Sequence, residues 1–188
     1  MAKKNEIGIG LLGLGVVGSK IAEHLLQRLE ALSLNLDGPL ALRRVLVRNM
    51  QLPRSISLPD GILTDDFSVV LNDPDIHIVV EVMGGEVPAA DYLNQLLENG
   101  KSVVTANKEV MAKHGPLLMA AASRSGAELK FEASVGGGIP IVGPLQNDLL
   151  ANDIMSIRAI INGTTNFILT KMAKENMEFT SALAQAQK

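Results

Sequence analysis

The chain has 188 residues, 47% hydrophobic and 20% charged, with a mean hydropathy of +0.22; that builds a sizeable core and excludes a disordered chain. Seventeen Lys and Arg against twenty Asp and Glu leave a net charge of −3, and no basic run exceeds two residues, so the footprint of a nucleic-acid binder is missing and small molecules are the expected partners. With no cysteine, disulfides, thiolate zinc sites and thiol nucleophiles are excluded, while metal sites built from oxygen ligands stay open.

At about one domain per 150 residues the length predicts a domain and a fraction. The N-terminal MAKKNEIGIGLLGLG is basic and then apolar, as a secretory signal is. Its apolar run is glycine-rich and leads straight into a periodic helix, so residues 7–12 are read as a first strand buried on both faces. No stretch approaches about 18 uninterrupted apolar residues, so no membrane span is predicted, and the cytoplasm is the expected location.

From Val17 the apolar positions Val17, Ile21, Leu25, Leu29 and Leu32 recur at helical spacing. Asp37-Gly38-Pro39 breaks the chain before a second strand over 40–47, a loop over 49–60 and a short helix over 65–71. A strand over 76–83 ends at Gly84-Gly85, and a helix over 89–98 is closed by Asn99-Gly100. Next come a strand over 102–106, a helix over 109–123 with a kink expected at Gly115-Pro116, and a strand over 127–135. Strands alternating with helices in this way predict right-handed crossovers and a doubly wound, mostly parallel α/β sheet.

Beyond the Gly136-Gly137-Gly138 hinge the pattern predicts a helix over 140–150, a strand over 154–161 and a helix over 165–173. The expected domains are 1–138 and 139–188, the second too short to be complete. The closing TSALAQAQK is helix-forming with no stop signal after it, so the chain is expected to stop inside an element.

Gly13-Leu14-Gly15-Val16-Val17-Gly18 is the glycine pattern of a dinucleotide site. One glycine makes the tight turn, one lets the backbone approach the pyrophosphate, and one lets the helix pack on the strand. The strand before it and the helix after it are the context the pattern needs; a merely structural turn is the alternative. Where an NAD-preferring site offers Asp or Glu at the end of the second strand, this chain has Val47-Arg48-Asn49. The Arg48 guanidinium matches a 2′-phosphate, or it is simply a solvated side chain.

Thr105-Ala106-Asn107-Lys108 falls at the carboxyl end of a strand, where open α/β sheets bind ligands. Lys108 opens the next helix, where the helix dipole gives a cation nothing. In an enclosed site beside a nicotinamide it could take a proton from an alcohol, or polarise a carbonyl in reverse; otherwise it is a surface lysine. Glu128, Lys130 and Glu132 alternate onto one strand face, which reads as a solvated edge. The glycines after Glu132 expose carbonyls that, with one carboxylate, could hold a hard cation. Asn162-Gly163-Thr164-Thr165-Asn166 serves as a turn and helix cap. His24, His77 and His114 have neither triad logic nor ligand spacing, and the eight methionines and Tyr92 read as packing.

GLGVVG, VTANKEVMA, FEASVGGGIPIV and INGTTNFILT, in this order and spacing, resemble the homoserine dehydrogenase family over essentially the whole chain. The resemblance implies a Rossmann domain followed by the start of an α+β catalytic and dimerisation domain. It also implies NAD- or NADP-dependent interconversion of L-homoserine and L-aspartate 4-semialdehyde, in threonine, methionine and isoleucine biosynthesis, by a homodimer. Gly13, Gly15, Val16, Val17 and Gly18 would then line the cofactor, with Arg48 at its adenosine end and Gly84 near the nicotinamide. Lys108 would contact cofactor and substrate and assist catalysis. Glu132, Val135, Gly137 and Ile139 match positions that bind a sodium ion, mostly through backbone carbonyls. A substrate-binding glutamate, an aspartate and a second lysine of the family fall beyond the end of this chain, so it is expected to bind nucleotide without turnover. A non-catalytic nucleotide-binding module and another small-aldehyde or imine reductase are the competing readings.

Overall fold

Six strands form one parallel sheet in the order β3-β2-β1-β4-β5-β6 in the computed structural model, which describes residues 6–27, 36 and 38–187. They are β1 (Ile7–Leu12), β2 (Leu40–Leu46), β3 (Leu63–Thr64), β4 (Ile76–Glu81), β5 (Ser102–Thr105) and β6 (Leu129–Lys130), and every pairing is parallel. Helices α1 (Val16–Gln27), α2 (Phe67–Leu71), α3 (Ala89–Glu98) and α4 (Lys108–Ser125) lie between them. The chain leaves β1 for β2 on one side and later returns to β4 on the other. That reversal opens a crevice at the carboxyl ends of the strands, where such sheets bind ligands.

Side-chain alternation along the strands feeds two cores. Ile9, Leu11, Leu42, Val45 and Val47 pack with Ala22 and Leu25 of α1. Leu12, Leu46, Val79 and Val103 pack with Val70 of α2, Leu93, Leu96 and Leu97 of α3, and Val110 and Leu118 of α4. The doubly wound reading therefore holds. Asn99-Gly100 closes α3 as predicted, with Gly100 at φ 77°. Helix α1 is described to Gln27; Leu29, Leu32 and Asp37 lie outside the described residues. Helix α4 starts at Lys108 and continues past Pro116 to Ser125.

Four expectations change. The two-residue strand β3 sits in a stretch with no strand predicted. It exists because the Val45 and Val47 amides donate to the carbonyls of Ile62 (2.7 Å) and Thr64 (2.9 Å), and two residues are too few to carry an alternation. The strand over 127–135 shrinks to Leu129–Lys130. Ser134 turns back, its amide and hydroxyl both donating to the Phe131 carbonyl (2.9 and 2.6 Å), which forms a tight helical turn over Glu132–Ser134. The helix over 140–150 is reduced to a wide turn at Pro144–Asp148, because Pro140 and Pro144 supply no amide donors. The stretch 154–161 takes no regular secondary structure and pairs with no strand among the described residues; alternation alone does not supply the partner a ladder needs.

Two compact units emerge, Met1–Pro144 and Leu145–Lys188. In the second, α5 (Gly163–Glu175) begins at Asn162, whose side chain accepts from the Thr165 amide at 2.8 Å, and ends at Asn176 in the left-handed region. It packs against α6 (Phe179–Ala186). Among the described residues no helix is long and apolar enough to cross a membrane.

Candidate functional site

The glycine turn after β1 is made by close approach. Gly13 has φ 99°, and its amide donates to the Leu46 carbonyl at 2.9 Å. A Cβ on Gly18 would lie 2.1 Å from the Gly13 carbonyl oxygen, so only glycine lets α1 sit down on the turn; a Cβ on Gly15 would meet nothing within 4 Å. The first glycine bends, the third packs, and the second leaves open space beside the N-terminus of α1, where amides and the helix dipole favour an anion. Val16 and Val17 are exposed on that first turn, 87% and 56% accessible.

A cleft of about 500 Å³ opens here, lined among others by Gly13, Gly15, Arg48, Arg54, Gly84 and Tyr92. Arg48 is exposed at the end of β2. Arg54, not singled out from the sequence, donates from Nη2 to the Asn49 carbonyl at 2.5 Å, and its buried Nε meets no hydrogen-bond partner among the described residues. Gly84 and Gly85 have φ 73° and 72°, and a Cβ on either would meet no atom within 4 Å. Tyr92 stacks on Phe67 with ring centroids 3.8 Å apart, so its packing role also shapes the cleft wall.

Behind Gly84 lies a polar network the sequence reading missed. Glu81, at the end of β4, is fully buried. Its Oε1 accepts from the Met83 amide (2.8 Å) and from Asn107 Nδ2 (3.4 Å), and its Oε2 accepts from the Thr105 hydroxyl (2.5 Å). Asn107 Nδ2 also donates to the Gly85 carbonyl (2.7 Å), while Oδ1 accepts from the Val110 amide (3.2 Å) and caps α4. The sequence signal was a lone carboxylate in the apolar run IHIVVEVM. Lys108, the first residue of α4, is exposed and directly follows this cap; it is not among the residues lining the cleft.

The 84–88 loop has a second anchor. Glu86 meets Lys113 Nζ (2.5 Å) and His114 Nε2 (2.8 Å) on α4. Those hydrogen bonds hold its carboxyl below the usual range, and Lys113, bonded also to Glu109, is pushed above its own. His77 accepts the Gly8 amide at Nδ1, 3.0 Å away, a structural use.

Glu132 departs from the solvated-edge reading. Its carboxylate accepts from the amides of Ile141 (2.5 Å), Val142 (2.9 Å) and Gly143 (2.7 Å), which hold its carboxyl below the ordinary range. Between the two ends of this clasp, Gly136 and Gly137 turn at φ 69° and 64°, the Ile139 amide returns to the Gly136 carbonyl, and Val135 and Ile139 are exposed. Among the described residues no three His, Cys, Asp or Glu side chains group as a metal site.

Comparison with known proteins shows the family. The model for "Homoserine dehydrogenase, NAD binding domain" matches residues 13–132, and that for "Homoserine dehydrogenase" matches 140–188. The chain belongs to the homoserine dehydrogenase family. A homoserine dehydrogenase of Bacillus subtilis is 42% identical over 96% of this chain, and the match spans 42% of that protein. The crystal structure of a homoserine dehydrogenase from Thiobacillus denitrificans superposes with a TM-score of 0.82 at 40% identity, over 97% of this chain and 42% of that one. A hyperthermophilic archaeal homoserine dehydrogenase in complex with NADPH superposes at 0.79 with 26% identity, over 97% of this chain and 60% of that one. The chain thus spans about two fifths of the length of the curated homoserine dehydrogenases it matches.

Proposed function

We propose that the intact protein is an NAD(P)-dependent homoserine dehydrogenase that interconverts L-homoserine and L-aspartate 4-semialdehyde in threonine, methionine and isoleucine biosynthesis. The observation that carries this reading is the open glycine cradle at the sheet's reversal, flanked by the helix that begins with Lys108, in a chain matched to this family over 13–132 and 140–188. Gly13, Gly15, Val16, Val17 and Gly18 form the pyrophosphate end, Arg48 pairs with a 2′-phosphate, and Gly84 leaves room for the nicotinamide. NADPH in the archaeal relative and the absence of Asp or Glu at 47–49 favour NADP over NAD.

When bound, the nicotinamide supplies the hydride acceptor for the alcohol carbon, or the donor for the aldehyde carbon in reverse. Lys108 Nζ handles the proton on the same carbon's oxygen. As a neutral amine it takes the hydroxyl proton during oxidation; as an ammonium it polarises the carbonyl oxygen and returns the proton during reduction. A sodium ion at Glu132, Val135, Gly137 and Ile139 would rest on backbone carbonyls, since three amides already occupy the Glu132 carboxylate. We assign 1–138 to nucleotide binding and 139–188 to the start of the catalytic domain, in a cytoplasmic homodimer.

The test is turnover of L-homoserine with NADP or NAD by the intact protein, with Lys108→Ala beside it. Reduced nucleotide should form in the wild type and fall at least a hundredfold in the variant, in line with the usual contribution of a general acid–base. Nucleotide binding without turnover of homoserine or aspartate semialdehyde would leave the non-catalytic module.

A further inference from the structure

We infer that Glu81 is a positioning residue for Lys108; this rests on the role of Lys108 proposed above. The other β4 side chains turned into the cores are apolar: Ile76, Val79 and Val80. A carboxylate excluded from water survives only where donors replace its hydration, and a well-packed apolar residue would serve stability at least as well. Packing alone therefore does not call for Glu81.

Its three donors identify what it does. The Met83 amide belongs to the loop that walls the cleft, the Thr105 hydroxyl to the end of β5, and Asn107 Nδ2 to the cap of α4. The Asn107 amide also donates to the Thr105 hydroxyl oxygen at 3.0 Å. With one proton to give, the Thr105 hydroxyl spends it on Glu81, so its orientation is fixed. Asn107 is likewise fully used: Nδ2 donates to Glu81 and Gly85, and Oδ1 accepts from Val110. One carboxylate thus locks the cleft loop, the strand end and the helix cap into a single register. The next residue along the chain is Lys108, so the register sets the direction in which its backbone departs relative to Gly84 and Gly85.

A misplacement of about 1 Å at a reacting group can lower a rate a hundredfold. The experiment is a double-mutant cycle in the intact protein, with kcat for homoserine oxidation, nucleotide Kd and thermal melting recorded for Glu81→Gln, Thr105→Val and Thr105→Ser, each with and without Lys108→Ala. Glu81→Gln and Thr105→Val should lower kcat roughly tenfold to a hundredfold, with nucleotide Kd within about threefold of wild type. Thr105→Ser, which keeps the hydroxyl, should recover most of what Thr105→Val loses. On the Lys108→Ala background the same substitutions should change kcat less than about twofold, because the group they position is gone. Losses that persist in full on that background, or unchanged kcat in the single variants, overturn the inference. If Glu81→Gln does not fold, the Thr105→Val cycle decides the same question. Absence of homoserine turnover in the wild type would instead remove the proposed function on which the inference stands, and full activity of Lys108→Ala would remove the role given to Lys108 while leaving that function in place.

Discussion

Glu132 illustrates how far one side chain reaches. Its carboxylate gathers the amides of Ile141, Val142 and Gly143, donors that Pro140 and Pro144 leave without a regular helix to join. Because those amides stabilise the charged form, the folded-state carboxyl titrates below its ordinary value of 4.5. The stabilisation is therefore complete above about pH 4.5 and lost as pH falls through the lowered folded value. Hydrogen-exchange protection of the 141–143 amides should hold from pH 7 to 5 and fade at lower pH, while Glu132→Gln should show weak protection at every pH. Protection in the wild type that persists to pH 2 would contradict this. Periodicity placed Glu132 on a strand face and gave no hint of the clasp, whose partners lie 9 to 11 residues away.

At the scale of elements, the strand–turn–helix at the N-terminus shows three glycines with separate physical duties. A Cβ at Gly18 collides with the Gly13 carbonyl at 2.1 Å, while one at Gly15 touches nothing. Gly18→Ala should thus lower stability by about 1–3 kcal/mol or more, because backbone rather than a side-chain tip must move. Gly15→Val should leave the melting temperature within the range of a neutral surface change, about 0.5 kcal/mol, while weakening nucleotide binding at least about tenfold through loss of close backbone approach. Thermal denaturation paired with nucleotide titration of both variants separates the two duties. A Gly15→Val variant that bound as well as wild type would mean the open space is not the pyrophosphate's. Elsewhere an element was legible in proportion to its length: α3 and α4 carry long periodic faces and their own caps, whereas β3 is two residues long and takes its place from pairing with Val45 and Leu46 of β2.

For the molecule as a whole, the sheet reversal between β2 and β4 brings together groups that are distant in sequence. Gly13, Arg48, Gly84 and Tyr92 share one cleft, so a ligand there couples both cores. A nucleotide at a hundred times its Kd adds about 2.7 kcal/mol to stability, which for a chain of this length raises the melting temperature by roughly 5–10 °C. NADPH should give a larger shift than NADH at equal concentration. Arg48→Ala should abolish most of the difference, weakening NADPH roughly tenfold to a hundredfold as a lost charge-assisted contact does. Equal shifts by the two nucleotides in the wild type would remove the role given to Arg48.

The sequence by itself determined the sheet class, the glycine turn and the family, because burial on both faces, helical periodicity and the need for glycine at fixed spacings are local properties of a chain. Arg48 and Lys108 stand out as candidates because each follows a recognisable strand or opens a helix, and Gly84 through the family resemblance; the fold puts Arg48 and Gly84 on the cleft, while Lys108 is not among its lining residues. Only the tertiary structure decided what the polar groups do. Glu81 is a lone carboxylate in an apolar run that the sequence reading passed over, and its part emerges only where β4 and β5 lie side by side and set Thr105 and Asn107 against it. Glu132 looked solvated until the 141–143 backbone folded over it. A carboxylate's role is fixed by which donors surround it in space, and that is a property of pairing and packing rather than of spacing along the chain.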